Sequence, residues 1–193
     1  ELNQPGAYQD VKDTTVVAQF RALPESAARL REHIAPEKRT ALAELPVDFL
    51  AWTTTPWTLS SNTALTVGPK IMYVLVSTTN RYTETKGLVV LAESLLSKQF
   101  GGKNAPEHEV LAHVVGADLC GERYEPLFDW AEPMDGAAGA FQIIPGDFVT
   151  TEDGTGIVHT APTFGADDAR VAQAAGVPPM LVDDGMGHGV PLV

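Results

Sequence analysis

Residues 154–168 read GTGIVHTAPTFGADD, and residues 52–58, much earlier in the chain, read WTTTPWT. The later stretch predicts a short buried strand that ends near His159, followed by a helix whose first turn holds Asp167 and Asp168. The earlier stretch sets three threonine hydroxyls between two indoles. If the two stretches meet across a cleft, they can hold a cationic group and orient a water against an ester. That combination indicates the chemistry of a deacylase.

Strands dominate the pattern along the rest of the chain. Apolar, β-branched or alternating runs predict strands at 11–20, 47–54, 63–67, 71–78, 88–92, 109–115, 141–144 and 156–160. Short helices are predicted at 24–33, 93–100 and 166–175, with irregular connections at 33–46 and 116–140. Regular alternation of strand and helix is missing, which argues against a doubly wound parallel sheet. We therefore predict a mainly β fold with short peripheral helices and a closed or curled, barrel-like core.

Composition limits the partners and the setting of the chain. Its 193 residues fit one domain, and no apolar run approaches the ~18 residues of a membrane span. The formal net charge is −12, and phosphate neutralisation drives nucleic-acid binding, so the chain alone is expected to bind RNA weakly. The single cysteine, Cys120, favours a reducing, cytoplasmic setting. The start at Glu1 and the end at Val193, in mid-pattern, lead us to expect a piece excised from a longer protein.

The threonine row has two interpretations. Neighbouring side chains of a strand point to opposite faces, so Thr53 and Thr55 share one face and Thr54 takes the other unless the chain turns. Pro56 ends the strand and favours such a turn, which would bring several hydroxyls toward one cavity. The alternative is that threonine is simply a good strand former. Trp52 and Trp57 favour the first interpretation, since two indoles near a strand end often line a pocket.

The histidine and the aspartates also have two interpretations. A lone strand histidine is usually a hydrogen-bonded core residue, and acidic residues in a first helical turn interact favourably with the helix dipole. In the functional interpretation one carboxylate faces the cleft, and since adjacent helical residues diverge by about 100°, only one of the pair does so. One histidine beside two neighbouring carboxylates is a poor ligand set, so no metal site is expected.

Together the two stretches resemble the editing domain, or connective peptide, of class I aminoacyl-tRNA synthetases of the isoleucine, valine and leucine group. Residues 52–62, WTTTPWTLSSN, are similar to the threonine-rich motif of the isoleucyl enzymes, and residues 154–168 to their second editing motif. Valyl and leucyl relatives usually carry Arg-Pro where this chain has Thr55-Pro56, and lack Trp at position 57, which favours the isoleucyl family. The HIGH and KMSKS motifs are absent. The resemblance therefore implies a single editing domain over residues 1–193, without the synthetic domain that uses ATP.

The resemblance implies post-transfer proofreading. Such a domain hydrolyses the ester of valyl-tRNA(Ile), with valyl-adenylate as a further candidate substrate, and excludes isoleucine by pocket size. Proofreading is needed because one missing methylene is worth only about 1–3 kcal/mol to a synthetic site. Editing needs no cofactor, and the implied partners are the 3′ end of charged tRNA(Ile) and the rest of the synthetase, in a cytoplasmic monomer. Two alternatives remain: a valyl-tRNA synthetase editing domain that removes threonine, and a non-catalytic tRNA-interaction module.

The resemblance also assigns site residues. Asp168 matches the aspartate that binds the substrate α-amino group, and Asp167 is the weaker candidate. His159 matches the residue that limits the size of the amino-acid pocket. Position 164 is His in some relatives and Phe here, which argues against an acid–base role there. The matched catalytic positions are Thr53, Thr54, Thr55 and Asp168, and the matched substrate-binding positions are His159, Trp57, Thr58, Asn62 and Phe164.

Overall fold

The computed structural model describes residues 14–103 and 105–192, which contain ten strands and five short α-helices. The strands are β1 (Val16–Arg21), β2 (Val47–Thr53), β3 (Ala64–Val67), β4 (Met72–Thr79), β5 (Lys86–Ala92), β6 (His108–Val115), β7 (Gln142–Pro145), β8 (Ile157–Thr160), β9 (Leu181–Asp183) and β10 (Gly189–Pro191). The helices are α1 (Pro24–Glu32), α2 (Pro36–Arg39), α3 (Leu96–Phe100), α4 (Gly116–Leu119) and α5 (Ala166–Ala174). No helix in the described ranges is long and apolar enough to cross a membrane.

Eight of these strands form one curled sheet, ordered β6-β4-β5-β2-β8-β3-β7 with β1 paired to β2. Strand β1 runs antiparallel along the whole of β2 and occupies one of its edges. The other edge is shared: Val47–Phe49 pair in parallel with β5, and Trp52 pairs in parallel with Val158 of β8. Because two strands must use one edge, the sheet divides between Phe49 and Trp52 and curls around its core.

The prediction of a mainly β fold with short peripheral helices is confirmed. Of the two predicted forms of the core, the described strands adopt the curled one, since β6 and β7 end the path of the sheet without pairing with each other. The predicted strand at 11–20 corresponds to β1, and residues 11–13 lie outside the described part of the chain. The prediction of irregular structure over 116–140 was wrong at its start, where α4 forms.

One pair of strands was not predicted. Strands β9 and β10 form a separate antiparallel hairpin, whose loop contains Asp183 and Asp184. The loop is closed by hydrogen bonds in which the backbone N–H groups of Gly185 and Gly187 donate to the Asp183 carboxylate at 2.7 and 3.0 Å. The glycine-rich sequence hides these strands, because each has only three residues and little hydrophobic alternation.

The segment around Tyr124 crosses the molecule between α1, β1 and β7. Its backbone bonds to three partners: the N–H groups of Leu23, Tyr124 and Glu125 donate to the carbonyls of Arg123, Phe141 and Arg21. The Tyr124 ring, 1% exposed, meets Phe20 edge-on with ring centroids 5.3 Å apart. A residue from an otherwise irregular part of the chain is thereby fixed in the core.

Gly156 allows the close approach between β5 and the start of β8. Its φ is +73°, and an added Cβ would lie 2.4 Å from the Cβ of Ala92. We expect Gly156→Ala to lower the free energy of unfolding by about 1–2 kcal/mol for the left-handed backbone and by about 1–3 kcal/mol more for the overlap, measured by urea denaturation. Gly176→Ala is the matched control, because Gly176 has a φ of +69° and open space around its Cβ position. Equal losses in the two variants would show that the contact with Ala92 is unimportant.

Candidate active site

The two motifs meet at one edge of the sheet. Strands β2 and β8 run parallel with Trp52 opposite Val158, so their carboxyl ends, at Thr53 and Thr160, reach the same edge. Beyond β2 the chain enters a 3-10 turn over Pro56–Ser61, and beyond β8 it turns into α5. Clefts at the carboxyl ends of parallel strands are common ligand sites, because loops and helix starts converge there.

Three threonine hydroxyls cluster at this edge. The Thr55 N–H donates to Thr53 Oγ1 at 3.0 Å, and the hydroxyls of Thr53 and Thr55 are 3.2 Å apart, so both lie on one face as the strand pattern predicts. Thr58 Oγ1 is 3.3 Å from Thr55 Oγ1 and donates to the Thr55 carbonyl at 2.8 Å. Thr54 is exposed and lies outside this cluster. The cluster therefore consists of Thr53, Thr55 and Thr58.

His159 is held at both ring nitrogens. Asn62 Nδ2 donates to the Ala64 carbonyl at 2.7 Å and lies 2.9 Å from His159 Nδ1, and Asn62 Oδ1 accepts from the Tyr124 hydroxyl at 2.6 Å. These partners orient the amide, so Nδ1 accepts and the ring proton belongs to Nε2. Nε2 lies 3.0 Å from Thr58 Oγ1, to which it donates.

Burial keeps His159 neutral. Burial lowers its pKa to about 4, and a hydrogen bond with Thr58 opposes that shift in part. Only 6% of the residue is exposed, and both nitrogens already have partners. His159 therefore does not present a free general base to a ligand. It supports the threonine cluster from behind.

Asp167 and Asp168 face different partners. Asp168 is half-buried, and its Oδ2 accepts from the Ala161 N–H at 2.9 Å. Burial raises the pKa of this carboxyl, the Ala161 hydrogen bond opposes that effect, and the charge of Asp167 adds to it. Asp167 is exposed and pairs with Arg170 at 3.2 Å. Among the described residues no basic side chain pairs with Asp168, so its carboxylate has room for a cationic ligand.

Two aromatic side chains lie exposed in the two motifs. Trp57 is 59% exposed and Phe164 is 45% exposed. Trp52 is half-buried instead, and its ring packs so closely on Gly154 that a Cβ there would lie 2.8 Å from a ring carbon. Of the two tryptophans that flank the threonine row, Trp57 is therefore the one available to a ligand.

Two participants were missed by sequence reasoning. Tyr124 lies in a stretch with no periodic pattern, so nothing in the sequence connects it to Asn62. Ser61, whose hydroxyl donates to the Leu192 carbonyl, ties the 3-10 turn to the last described residues of the chain. In residues 14–103 and 105–192 no three His, Cys, Asp or Glu side chains converge as a metal site would require.

Comparison with known proteins places this arrangement. No family model matches the chain. The isoleucine–tRNA ligase of Bacteroides fragilis is 50% identical over 206 residues, covering all of this chain and 17% of that protein. The ligase of Porphyromonas gingivalis is 48% identical over 208 residues, again covering all of this chain and 17% of the relative.

Solved structures agree on the fold. The cytosolic leucyl-tRNA synthetase editing domain of P. knowlesi superposes with a TM-score of 0.61 at 15% identity, covering 83% of this chain and 62% of that one. The corresponding P. falciparum domain gives 0.58 at 14% identity, covering 80% and 63%. The fold is that of a class I synthetase editing domain. With the sequence matches, the chain belongs to the isoleucine–tRNA ligase family, and it spans 17% of the length of the curated relatives it matches.

The buried His159 gives stability a pH dependence. Between pH 6.5 and about 4 the unfolded chain binds a proton at this ring while the folded chain does not, so stability falls as the pH drops through this window. We expect this contribution, fully present above pH 6.5, to be on the order of 3 kcal/mol. Urea denaturation of the parent and of His159→Gln at several pH values measures it as the difference between the two. Asp168, whose raised pKa acts in the opposite direction, contributes to both proteins and cancels. A difference that is constant from pH 7 to pH 4 would contradict the assignment.

Proposed function

We propose that this chain is the editing unit of an isoleucine–tRNA ligase and hydrolyses the ester bond of valyl-tRNA(Ile), with valyl-adenylate as a further substrate. The observation that carries the proposal is the half-buried Asp168, a carboxylate without a basic partner among the described residues. It lies in the motif that follows β8, at the edge of the sheet where the threonine hydroxyls cluster. An aminoacyl ester has a free α-ammonium group, which needs such a counter-charge, and a ribose and a carbonyl, which need hydroxyl partners.

The proposed mechanism depends on positioning. Asp168 binds the α-ammonium group, and Thr53 and Thr55 hold the ribose and the attacking water. His159 does not act as the base, since its nitrogens are occupied and burial lowers its pKa to about 4. An aminoacyl ester is already reactive, and holding a water in line with it contributes several kcal/mol without a strong base. The hydrolysis needs no cofactor.

The proposed selectivity is by size. His159 backs the pocket, and Thr58 and Asn62 hold it rigidly, so the space that the additional methylene of isoleucine needs is filled. Trp57 and Phe164 are the proposed rim of the pocket, because both are exposed. Binding alone separates substrates that differ by one methylene by about 1–3 kcal/mol, and a site that has no room for the larger one separates them further.

The proposed partners follow from the charge and the length. A net charge of −12 disfavours contact with phosphates, so the rest of the synthetase supplies most of the grip on tRNA(Ile), and the 3′ end enters this unit. We propose that residues 1–193 are one editing domain of a longer, monomeric, cytoplasmic enzyme.

A deacylation assay tests the function. The chain is assayed alone and in place of the corresponding segment of the Bacteroides fragilis ligase, with valyl-tRNA(Ile), isoleucyl-tRNA(Ile) and threonyl-tRNA(Val). We expect hydrolysis of the first substrate and sparing of the second. Preferential loss of threonine from threonyl-tRNA(Val) would assign the chain to valine proofreading. No hydrolysis in either form would leave a tRNA-interaction module.

Removal of the Asp168 charge is the most direct test of the site. We expect Asp168→Asn to slow hydrolysis of valyl-tRNA(Ile) by roughly a hundredfold or more, because the ammonium group loses its counter-charge. The amide oxygen can still accept from the Ala161 N–H, so the thermal unfolding midpoint should change little. Asp167→Asn is the control, since it removes the same charge from an exposed neighbour. Equal rates in the two variants would contradict the role of Asp168.

Truncation of His159 tests the size limit. We expect His159→Ala to raise the ratio of isoleucyl- to valyl-tRNA hydrolysis by roughly tenfold, because it opens room for one methylene. His159→Phe keeps a ring of similar volume and loses the hydrogen bonds, so this control should still spare isoleucyl-tRNA. A ratio that stays at the parent value in His159→Ala would place the limiting wall elsewhere, at Trp57 or Phe164.

A further inference from the structure

Tyr124 ends a chain of hydrogen bonds that leads from the core to the threonine cluster. Its hydroxyl donates to Asn62 Oδ1 at 2.6 Å, Asn62 Nδ2 donates to His159 Nδ1 at 2.9 Å, and His159 Nε2 is 3.0 Å from Thr58 Oγ1. Tyr124, Asn62, His159 and Thr58 are all buried, so water competes little for these contacts. The direction of each bond therefore depends on the groups in the chain.

The partners determine each direction. A carbonyl only accepts, so the Ala64 carbonyl takes one Asn62 N–H, and Asn62 Oδ1 faces the Tyr124 hydroxyl. Since Asn62 Nδ2 also faces His159, Nδ1 must accept and Nε2 must donate to Thr58. The Thr58 hydroxyl proton goes to the Thr55 carbonyl at 2.8 Å. Thr58 Oγ1 is then an acceptor toward both His159 and Thr55.

The same reasoning extends to the surface of the site. Because Thr58 has used its proton, the 3.3 Å contact has Thr55 as its donor. Thr55 has then used its own proton, so the 3.2 Å contact has Thr53 as its donor. Both protons are engaged within the cluster, and the remaining capacity of the Thr53 and Thr55 oxygens is lone pairs. The cluster is therefore an acceptor toward a donor such as water or a ribose hydroxyl.

We propose that Tyr124 is a positioning residue that, through Asn62, fixes the Nε2–H tautomer of His159 and so makes the threonine hydroxyls hydrogen-bond acceptors toward the substrate. Its link to editing rests on the proposed function. The tautomer itself does not. Without the Tyr124 hydroxyl, Asn62 Oδ1 loses its donor, and the amide gains freedom to turn and accept from His159 Nδ1. Protonation of the ring then becomes easier.

The test uses nitrogen NMR of the His159 ring in the parent chain, in Tyr124→Phe and in Tyr73→Phe. Tyr73 is the matched control because it is also fully buried, and its hydroxyl bonds to Gly68 and Gly156 at the opposite end of β8. We expect a pure Nε2–H ring in the parent and in Tyr73→Phe. In Tyr124→Phe we expect a mixed tautomer, a higher His159 pKa, and a kcat for valyl-tRNA(Ile) lower by about tenfold with little change in KM, the factor of one lost buried hydrogen bond.

The outcomes separate this proposal from the proposed function. An Nδ1–H ring in the parent, or a Tyr124→Phe ring identical to the parent ring, overturns the proposal whether or not the chain hydrolyses any ester. If Tyr124→Phe does not fold, Asn62→Asp provides the second test, because a carboxylate can only accept and must move the proton to Nδ1. An Asn62→Asp ring that keeps the parent tautomer also overturns the proposal.

Discussion

The site depends on the shared edge of β2. A strand has two edges, and β1 occupies one of them along its whole length, so β5 and β8 must divide the other. The division requires β5 and the entry to β8 to approach closely, and the glycine at position 156 permits that approach against Ala92. Because β8 then runs parallel to β2, two motifs far apart in sequence end at the same edge of the sheet. The chemistry at that edge is a consequence of this backbone constraint.

At this edge Asp168 stands out as a charge without a partner of opposite sign among the described residues. The threonine hydroxyls, the Asn62 amide and the neutral His159 ring satisfy one another, and Asp167 is occupied by Arg170. Burial raises the pKa of Asp168, which is the cost of holding a carboxylate with one backbone donor and no cation. A bound ammonium group would reverse that shift. The same residue therefore provides both the strain of the empty site and its preference for a cationic ligand.

The sequence predicted the residues of the site better than their connections. Thr53, His159 and Asp168 could be found because each lies at the end of a strand or the start of a helix, where hydrophobic patterns are readable. The parallel pairing of β2 with β8 could not be predicted, because a strand pattern does not specify its neighbour. Tyr124 could not be found for the same reason, since its partner Asn62 lies far away in the chain. The β9–β10 hairpin was missed because three-residue strands have too little periodicity.

The two interpretations of His159 are compatible. It is a hydrogen-bonded core residue, as a lone strand histidine usually is, and this property suits it to the proposed wall of an amino-acid pocket. A mobile side chain would yield to an additional methylene, whereas a ring held by Asn62 and Thr58 does not. A protonated ring would compete with the substrate ammonium group for Asp168, and burial prevents this by keeping the ring neutral. Rigidity and neutrality have the same origin here, because the hydrogen bonds that fix the ring also leave no acceptor for a second ring proton.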